Sequence, residues 1–531
     1  MKINRLNCFA VLLHFVVFQF AGFSQDGTLD PTFGTGGIVL TDVGLIDEAQ
    51  AVAHQPDGKI ITAGYTGNIG TYSFLLIRYN EDGSLDDTFG EGGITTTSLG
   101  VGEAICNAIQ LQADGKIIAI GIYILEEGGP ANIALARYNT DGTLDLSYGT
   151  DGIVITNSED SEVFDGGMRG RVQADGKLIV LGFKYEEILE FLLLRYNTDG
   201  TLDNTFGDEG IVTPIIGDYS DESEELNLIL DADENILVAS SAYGSGESHT
   251  NFSIVKYDTD GALDLTFGTD GQVLTNIKTT DGVSSNDYGA DIAFQSDGKI
   301  IVAGMIYEEE GAFALARYSA TGVLDESFGV DGVMYTEMSA WAECTGLSIQ
   351  ANDKIVIAGY ASFEEYNKDF VLMRYTANGD LDPTFGTDGM AVAGLSPNDD
   401  YAYGVTIIDN EKILVVGTEA GVSGLDTRIA LVQYLFDYEL STNEYTTDEQ
   451  NISVYPNPFN EFTRVYFDRV LTGNNYMVIY DLLGQEVYRT ENIAGASVQI
   501  NKEQLVSGVY LLTFKENGKN EEAFVSKLIV E

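Results

Sequence analysis

The sequence predicts an all-β protein: a seven-bladed β-propeller followed by a small C-terminal β-sandwich, Ig-like in type. Three observations carry this. The phrase "GTLDPTFGTGGIV" at Gly27 returns in variant form at Gly83, Gly142, Gly200, Gly261, Gly322 and Gly379, at spacings of 56, 59, 58, 61, 61 and 57 residues. Short strand-like segments fill every interval, and a fixed period of strand-rich units signals a propeller or a solenoid. After Glu439 the repeat stops and the composition changes.

Each unit offers four strands. Strand a is the short apolar stretch after the loop, such as Gly37–Thr41. Strands b and c flank a tight Asp-Gly turn, as in Ala51–Gly64, and Asp-Gly between alternating segments is a hairpin signal. Strand d is "FLLIRYN" at Phe74, echoed at Ile133, Phe191, Phe252, Phe313, Phe370 and Ile429. It is apolar on both faces, as expected of a sheet sandwiched between neighbours. A solenoid coil would hold fewer and shorter segments, so seven four-stranded units read as seven blades. The loop is expected to join strand d of one blade to strand a of the next. The N-terminal copy then fills the junction between blades seven and one, which explains its existence as ring closure.

The basic residue of strand d stands eight positions before the loop aspartate: Arg78–Asp86, Arg137–Asp145, Arg195–Asp203, Lys256–Asp264, Arg317–Asp325 and Arg374–Asp382. In the seventh unit Gln433 takes that place, opposite Asp30 across the expected seam. A charge-assisted pair fastening each turn is the natural reading. These units resemble the delta-60 repeat family, whose repeats carry "G-x-L-D-x-T-F-G" and "Q-x-D-G-K-I" and look like propeller blades. The resemblance runs from about Gln25 to Glu439. "DADENILVAS" (Asp231–Ser240) and "DNEKILVVG" (Asp409–Gly417) depart from it by lacking the Asp-Gly turn. It implies architecture and brings no chemistry.

The chain is expected to divide into a signal peptide at 1–24, the propeller at 25–439, a linker at 440–450 and a C-terminal module at 451–531. Lys2 and Arg5 form a positive start, Phe9–Phe23 an apolar core, and Gly22-Phe23-Ser24 a cleavage site before Gln25, the pattern of a secretory leader. The apolar run is short for a membrane span, and no other segment is suited to be a transmembrane one. At the other end, Tyr455, Pro456, Asn457 and Pro458 ("YPNPF"), Gly484 in "IYDLLGQEV", Gly508 and Tyr510 in "SGVYLLTF", and Lys527 in the terminal "KLIV" follow in order. They resemble the type A C-terminal sorting domain of the type IX secretion system. That resemblance implies the secretion machinery as partner, transport across both membranes, and release or attachment to surface lipopolysaccharide.

Lys and Arg number 27 against 83 Asp and Glu, a formal net charge of −56. Such a surface repels phosphate backbones, so a nucleic-acid partner is excluded, while cations, glycans and basic proteins stay open. Cys106 and Cys344 occupy one equivalent position in a column of small residues. They read as packing residues too far apart to bridge, hence two free thiols.

Strands alternate in direction, so the a–b and c–d loops share one face and the b–c turns and d–a loops the other. The second face is near-identical from unit to unit and reads as scaffold. The first varies, and variable loops on a rigid scaffold commonly carry binding. Tyrosines beside glutamates recur there: Tyr123 and Glu126, Tyr185 and Glu186, Tyr307 and Glu308, and Tyr360 with Glu364 and Tyr366. Aromatic rings stack on sugars and carboxylates accept hydrogen bonds from hydroxyls, so this is the candidate ligand face. Trp341, the single tryptophan, reads as a sugar platform or a core filler. "NTDGTLD" at Asn139 and Asn197 places oxygens at alternate positions, as calcium loops do, yet what persists across copies is the turn. No cofactor is expected beyond that Ca2+ alternative. His54 and His249 are the histidines after the leader, and no zinc, nucleophile-elbow or phosphate-loop pattern is present. The functional reading is a non-enzymatic binding or structural module. The alternative is a glycan-degrading enzyme, hydrolase or lyase, using carboxylates on the variable face.

Overall fold

The computed structural model describes residues 26–531 apart from 126–128, 130, 157–163, 186–188, 214–225, 246, 281–282, 308–310, 339–340, 365–366, 409–411, 422–425, 437–452, 456–458, 460–461, 481–485, 503–504, 507, 516–523 and 531. The leader and linker expectations fall outside these residues. The chain divides into two compact units, one ending at Asp437 and one starting at Tyr438.

In the first unit each blade sheet runs inner strand, second, third, outer, and Thr279–Thr280 with Val283–Ser284 form a separate two-stranded ribbon. The first sheet is Ile46–His54, Ile60–Asn68, Thr71–Tyr79 and Ile94–Thr97, paired antiparallel in that order. Five more sheets repeat this arrangement along the chain. The stretch after each glycine-rich loop is therefore not the first strand of a new blade. Ile94–Thr97 pairs with Phe74–Ile77, and the loop turns the chain back onto the sheet it has just left. The reason is local: Asp86 N–H donates to Arg78 C=O and Arg78 N–H to Gly93 C=O, both at 2.9 Å, which closes a hairpin. The strand order is b, c, d and then a, shifted by one from the sequence expectation. Loop faces are unaffected by the shift.

Ring closure follows, by a different route. The final sheet holds Asp400–Ile408, Lys412–Ala420 and Thr427–Leu435, and its outer edge is filled by Thr28–Leu29 and Ile38–Thr41. Asp30 N–H donates to Gln433 C=O at 2.8 Å, and Gln433 N–H to Gly37 C=O at 2.9 Å. The N-terminal copy thus supplies the missing fourth strand of the last sheet. Phe33, Leu414, Val416 and Leu431 of that sheet share one buried core with Ala49, Ile60, Leu75 and Tyr79 of the first. Similar cores fill the interfaces between successive sheets.

Two features recur within the blades. Inner strands carry a β-bulge between Ala49/Ala51, Cys106/Ala108, Gly167/Arg169, Gly289/Asp291, Cys344/Gly346 and Ala402/Gly404. Opposite the bulge the second strand carries glycine, because a Cβ at Gly121 would sit 1.9 Å from Ile105 O. This explains the small-residue column that holds Cys106 and Cys344. Both are buried, in separate blades, and neither is in a disulfide. Burial pushes the Cys106 thiol up to about 12.

The C-terminal unit is a five-stranded sheet built on the long strand Phe462–Tyr480, with Ser453–Tyr455, Glu486–Asn501, Gly508–Lys515 and Phe524–Val530. Register breaks along Phe462–Tyr480 let its first half pack on the later strands. Phe467 meets Phe514 with ring centroids 5.0 Å apart, within a core that includes Val465, Met477, Leu512 and Leu528.

Candidate functional site

The end of the ring that bears the glycine-rich loops is occupied by its own hydrogen bonds. Gly34, Gly90, Gly149, Gly207, Gly268, Gly329 and Gly386 donate N–H in turn to the C=O of Asp82, Asp141, Asp199, Asp260, Thr321, Asn378 and Asp26, at 2.7–3.0 Å. Each bond joins one sheet's loop to the next sheet's loop, and the seventh returns to the N-terminal segment. These glycines have φ between 50° and 56°, and a Cβ at Gly149 would stand 2.3 Å from Ile153 O. Only glycine fits.

The strand-d arginines serve the same ring. Arg78 Nε donates to Asp86 at 2.7 Å, Nη1 reaches Thr140 C=O of the next sheet at 2.5 Å, and the guanidinium lies 4.6 Å over Phe89. Arg137, Arg195, Arg317 and Arg374 hold Asp145, Asp203, Asp325 and Asp382 alike. A second cation, missed in the sequence reading, is the lysine that follows the b–c turn, in "DGK" or, at Lys354 and Lys412, in "NDK" and "NEK". Lys59, Lys116, Lys177, Lys299 and Lys354 reach the same five aspartates, and Lys412 reaches Asp30, at 2.8–3.2 Å. Burial raises the Asp86 pKa, but the Lys59 and Thr88 hydrogen bonds and the Arg78 charge outweigh it and hold the carboxyl far below its usual range. Lys256 is the exception. Its ion pair is with Asp231, at 2.9 Å, rather than with Asp264. That unit has Asp231 in place of the motif glutamine, and the shorter ammonium is drawn there.

The calcium-like loops belong to this end too. Asp141 Oδ1 accepts from Thr143 N–H and Oγ1 at 3.0 and 2.7 Å, an Asx-type turn. Among the described residues, no group of three or more His, Cys, Asp or Glu stands close enough to hold a metal ion.

The opposite end carries side chains that do not repeat. Lys368 Nζ lies 4.7 Å from the Trp341 ring, 5.2 Å from Tyr360 and 4.6 Å from Tyr401. Tyr360 meets Tyr401 edge-on at 5.0 Å, and Tyr401 stacks parallel on Tyr403 at 6.3 Å. Tyr401 also donates to Asp399 at 3.0 Å; burial, then this bond, pushes its hydroxyl up to about 12. From the first sheet, Tyr65 and Tyr72 pair at 4.9 Å. Burial and the neighbouring Glu48 hold the Tyr65 hydroxyl protonated, and burial raises the Glu48 pKa. A cation shared by three rings fixes an aromatic platform.

Of the residues expected on this face, Tyr360 belongs to the platform, and Tyr307 is exposed, edge-on to Tyr288 at 6.1 Å. Tyr360 and Tyr123 are both buried, at 5% and 8% exposure, Tyr123 in the core between the first two sheets. Register decides which neighbours each ring meets. Tyr360 and Tyr307 stand one and three positions after the bulge-facing glycines Gly359 and Gly304, whereas Tyr123 stands two after Gly121. A one-residue offset sends a strand side chain to the other face. Glu126, Glu186, Glu308 and Tyr366 lie outside the described residues, as do the side chains of Tyr185 and Glu364. So do Pro456, Asn457, Pro458 and Gly484, and the side chains of Tyr455 and Lys527. Gly508 and Tyr510 open the strand Gly508–Lys515, where Tyr510 Oη donates to Val506 C=O at 2.7 Å. His54 is half-buried on the first inner strand, and His249 lies 3.4 Å from Glu247.

Inside the ring the inner strands enclose a cavity of about 390 Å³. Arg169, Arg171, Asn227 and Asp291 line it. Arg171 donates to Asn227 Oδ1 at 3.3 Å and Asn227 to Asp291 Oδ1 at 2.5 Å. Burial, then the nearby Arg169, lowers the Arg171 pKa, opposed by Asp291. The sequence reading passed over this group. Its signal was present in "GGMRGRV" (Gly166–Val172), two arginines where no other unit carries a basic residue.

A closed ring of antiparallel four-stranded sheets, each bonded edge to centre in chain order, defines this unit as a β-propeller. Its repeats at 55–89, 112–148, 173–206, 232–267, 295–328 and 350–385 match the family described as "Domain of unknown function (DUF5122) beta-propeller". Residues 453–531 match the secretion system C-terminal sorting domain. The chain is thus a DUF5122 repeat propeller carrying a type IX sorting domain. No curated protein matches it in sequence. Among solved structures, Drosophila Semaphorin 2a is similar at 9% identity and TM-score 0.45, covering 92% of this chain and 97% of its own. Polysaccharide lyase Uly1 is similar at 12% identity and TM-score 0.41, covering 80% and 94%. Penicillium chrysogenum alpha-L-arabinanase, complexed with arabinobiose, is similar at 9% identity and TM-score 0.36, covering 78% and 97%. At these scores the likenesses carry no argument about chemistry. The sorting domain marks the protein as a secreted or surface one, and among the described residues no helix is long and apolar enough to cross a membrane.

Proposed function

We propose that the protein is exported with loss of residues 1–24, and that its propeller is a non-enzymatic module binding a glycan through the rim formed by Trp341, Tyr401, Tyr403 and Tyr65, backed by the buried Tyr360. The asymmetry of the two ends supports this reading. One end is taken up by a hydrogen-bond ring repeated in all seven sheets. The other gathers non-repeating aromatic side chains around Lys368, with Trp341 and Tyr401 partly accessible beside a buried Tyr360. Rigid aromatic groups on a fixed scaffold lose little entropy on binding, which is why they dominate recognition surfaces.

The test is a glycan array probed with the mature chain, alongside Trp341→Ala and Tyr401→Ala. Both variants should weaken binding about tenfold or more with unchanged melting. Equal binding by both would remove the rim from the proposal. New reducing ends or unsaturated sugars released from a bound glycan would overturn the non-enzymatic reading in favour of carboxylate catalysis.

A further inference from the structure

We propose that the lumen is a second binding site, taking a singly charged oxyanion group on a sugar, a uronate carboxylate or a sulfate ester, held by Arg169 and Arg171. The two arginines are two residues apart on the strand Phe164–Val172, so they share a face. Arg169 immediately follows the bulge at Gly167/Arg169, a device that re-aims a side chain. Blade architecture does not demand them. At the position of Arg169 other blades carry Ala51, Ala108, Asn227, Asp291, Gly346 and Gly404, and at that of Arg171 they carry Gln110, Ala293 and Ser348.

The charge count favours an anion. Asp291 is the one carboxylate among the described lining residues, against two guanidinium groups. Its acceptor oxygens are engaged: Oδ1 takes Asn227 Nδ2 and Ile292 N–H, and Oδ2 takes Leu347 N–H at 2.8 Å. One net positive charge therefore faces the cavity, inside a chain of net charge −56. Arg171 uses one bond on Gly170 C=O and one on Asn227, while a guanidinium carries five N–H donors in a fork that matches carboxylate and sulfate geometry. Two like charges side by side repel, and a bound anion relieves both. The volume of about 390 Å³ lies within the range of small-ligand sites. The lumen does not depend on the rim reading.

Calorimetric titration of the mature full chain with glucuronate, glucose 6-sulfate and glucose tests this. One site per chain is expected for at least one of the anions and none for glucose, and the anion that binds identifies the source. Arg169→Gln and Arg171→Gln should each weaken binding about tenfold to a hundredfold. Asn227→Asp leaves both arginines in place but sets a second carboxylate beside Arg171, and should abolish binding. That variant decides the matter if an arginine variant unfolds. Trp341→Ala should leave lumen binding unchanged, which separates failure here from failure at the rim. No heat with either anion, equal binding of glucose, or full affinity in Asn227→Asp would overturn the proposal.

Discussion

If the N-terminal segment completes the last sheet, a covalent link across that seam must lock the ring. Thr28 and Leu435 are directly opposed partners in an antiparallel pair, one exposed and one half-buried. Opposed residues of such a pair have Cα atoms about 4.5–5.5 Å apart, inside the range a disulfide spans. Thr28→Cys with Leu435→Cys would close a loop of about 400 residues, for which the loop-entropy relation gives about 6 kcal/mol, while measured disulfides deliver about 2–4 kcal/mol. The seam is where that restraint acts, because its opening detaches Phe33 from the core it shares with the first sheet. Non-reducing electrophoresis and thiol counting read bond formation, and melting with and without reductant reads the gain. Cys106 and Cys344 are buried and should stay unreactive in the folded chain. A pair that remains reduced under oxidant, or an oxidised chain that melts no higher than the reduced one, would refute closure by the N-terminal strand.

Two further outcomes follow from the loops and their aspartates. Gly149→Ala should destabilise by more than about 2 kcal/mol, since a left-handed alanine costs about 1–2 kcal/mol and its Cβ meets Ile153 O at 2.3 Å. Gly92→Asp should shift stability by less than about 0.5 kcal/mol: Gly92 has open space around its Cβ position, and Asp151, Asp270, Asp331 and Asp388 adopt that conformation at equivalent places. Denaturant unfolding checks both, and similar costs at the two sites would refute the packing argument. With pH, Asp382, lowered to about 2, and Asp86, Asp145, Asp203 and Asp325, lowered further, contribute stability that is present above the unfolded carboxyl pKa near 3.8. It is lost as pH falls through their folded values. Asp400, raised to about 6 by burial, has the opposite sign: the folded state holds its proton more tightly, so its protonation stabilises between pH 6 and about 4. Melting should therefore hold or rise on acidification to about pH 4 and collapse below about pH 3. Because a −56 chain also loses self-repulsion in that window, Asp400→Asn isolates the residue, and an unchanged upper slope would discount it.

Much of the scaffold was legible because each repeated residue answers a local need. Tyr79 and Tyr138 bond Thr41 and Thr97 across sheet interfaces at 2.8 Å, and the same bond recurs at Tyr196, Tyr318 and Tyr375. The strand order was misjudged by one because apolar character does not say which edge a short segment joins. The rim was half legible. Tyr360 and Trp341 were singled out by type, but Lys368, Tyr401, Tyr403 and Tyr65 come from three blades, brought together by the closing of the ring. Tyr123 was misplaced because a tyrosine beside a glutamate does not encode register.

Local sequence alone settled the repeat, the turns and five of the six expected charge pairs, and its sorting motif marks a secreted or surface protein. The reason is that φ, hairpin geometry and an arginine eight residues from its aspartate act within one unit, and a sorting motif is read as a contiguous stretch. Tertiary structure decided which residues meet at the axis. Arg171, Asn227 and Asp291 lie on three successive blades, at least 56 residues apart from one to the next, and only the curvature of the closed ring turns their strands toward a common space.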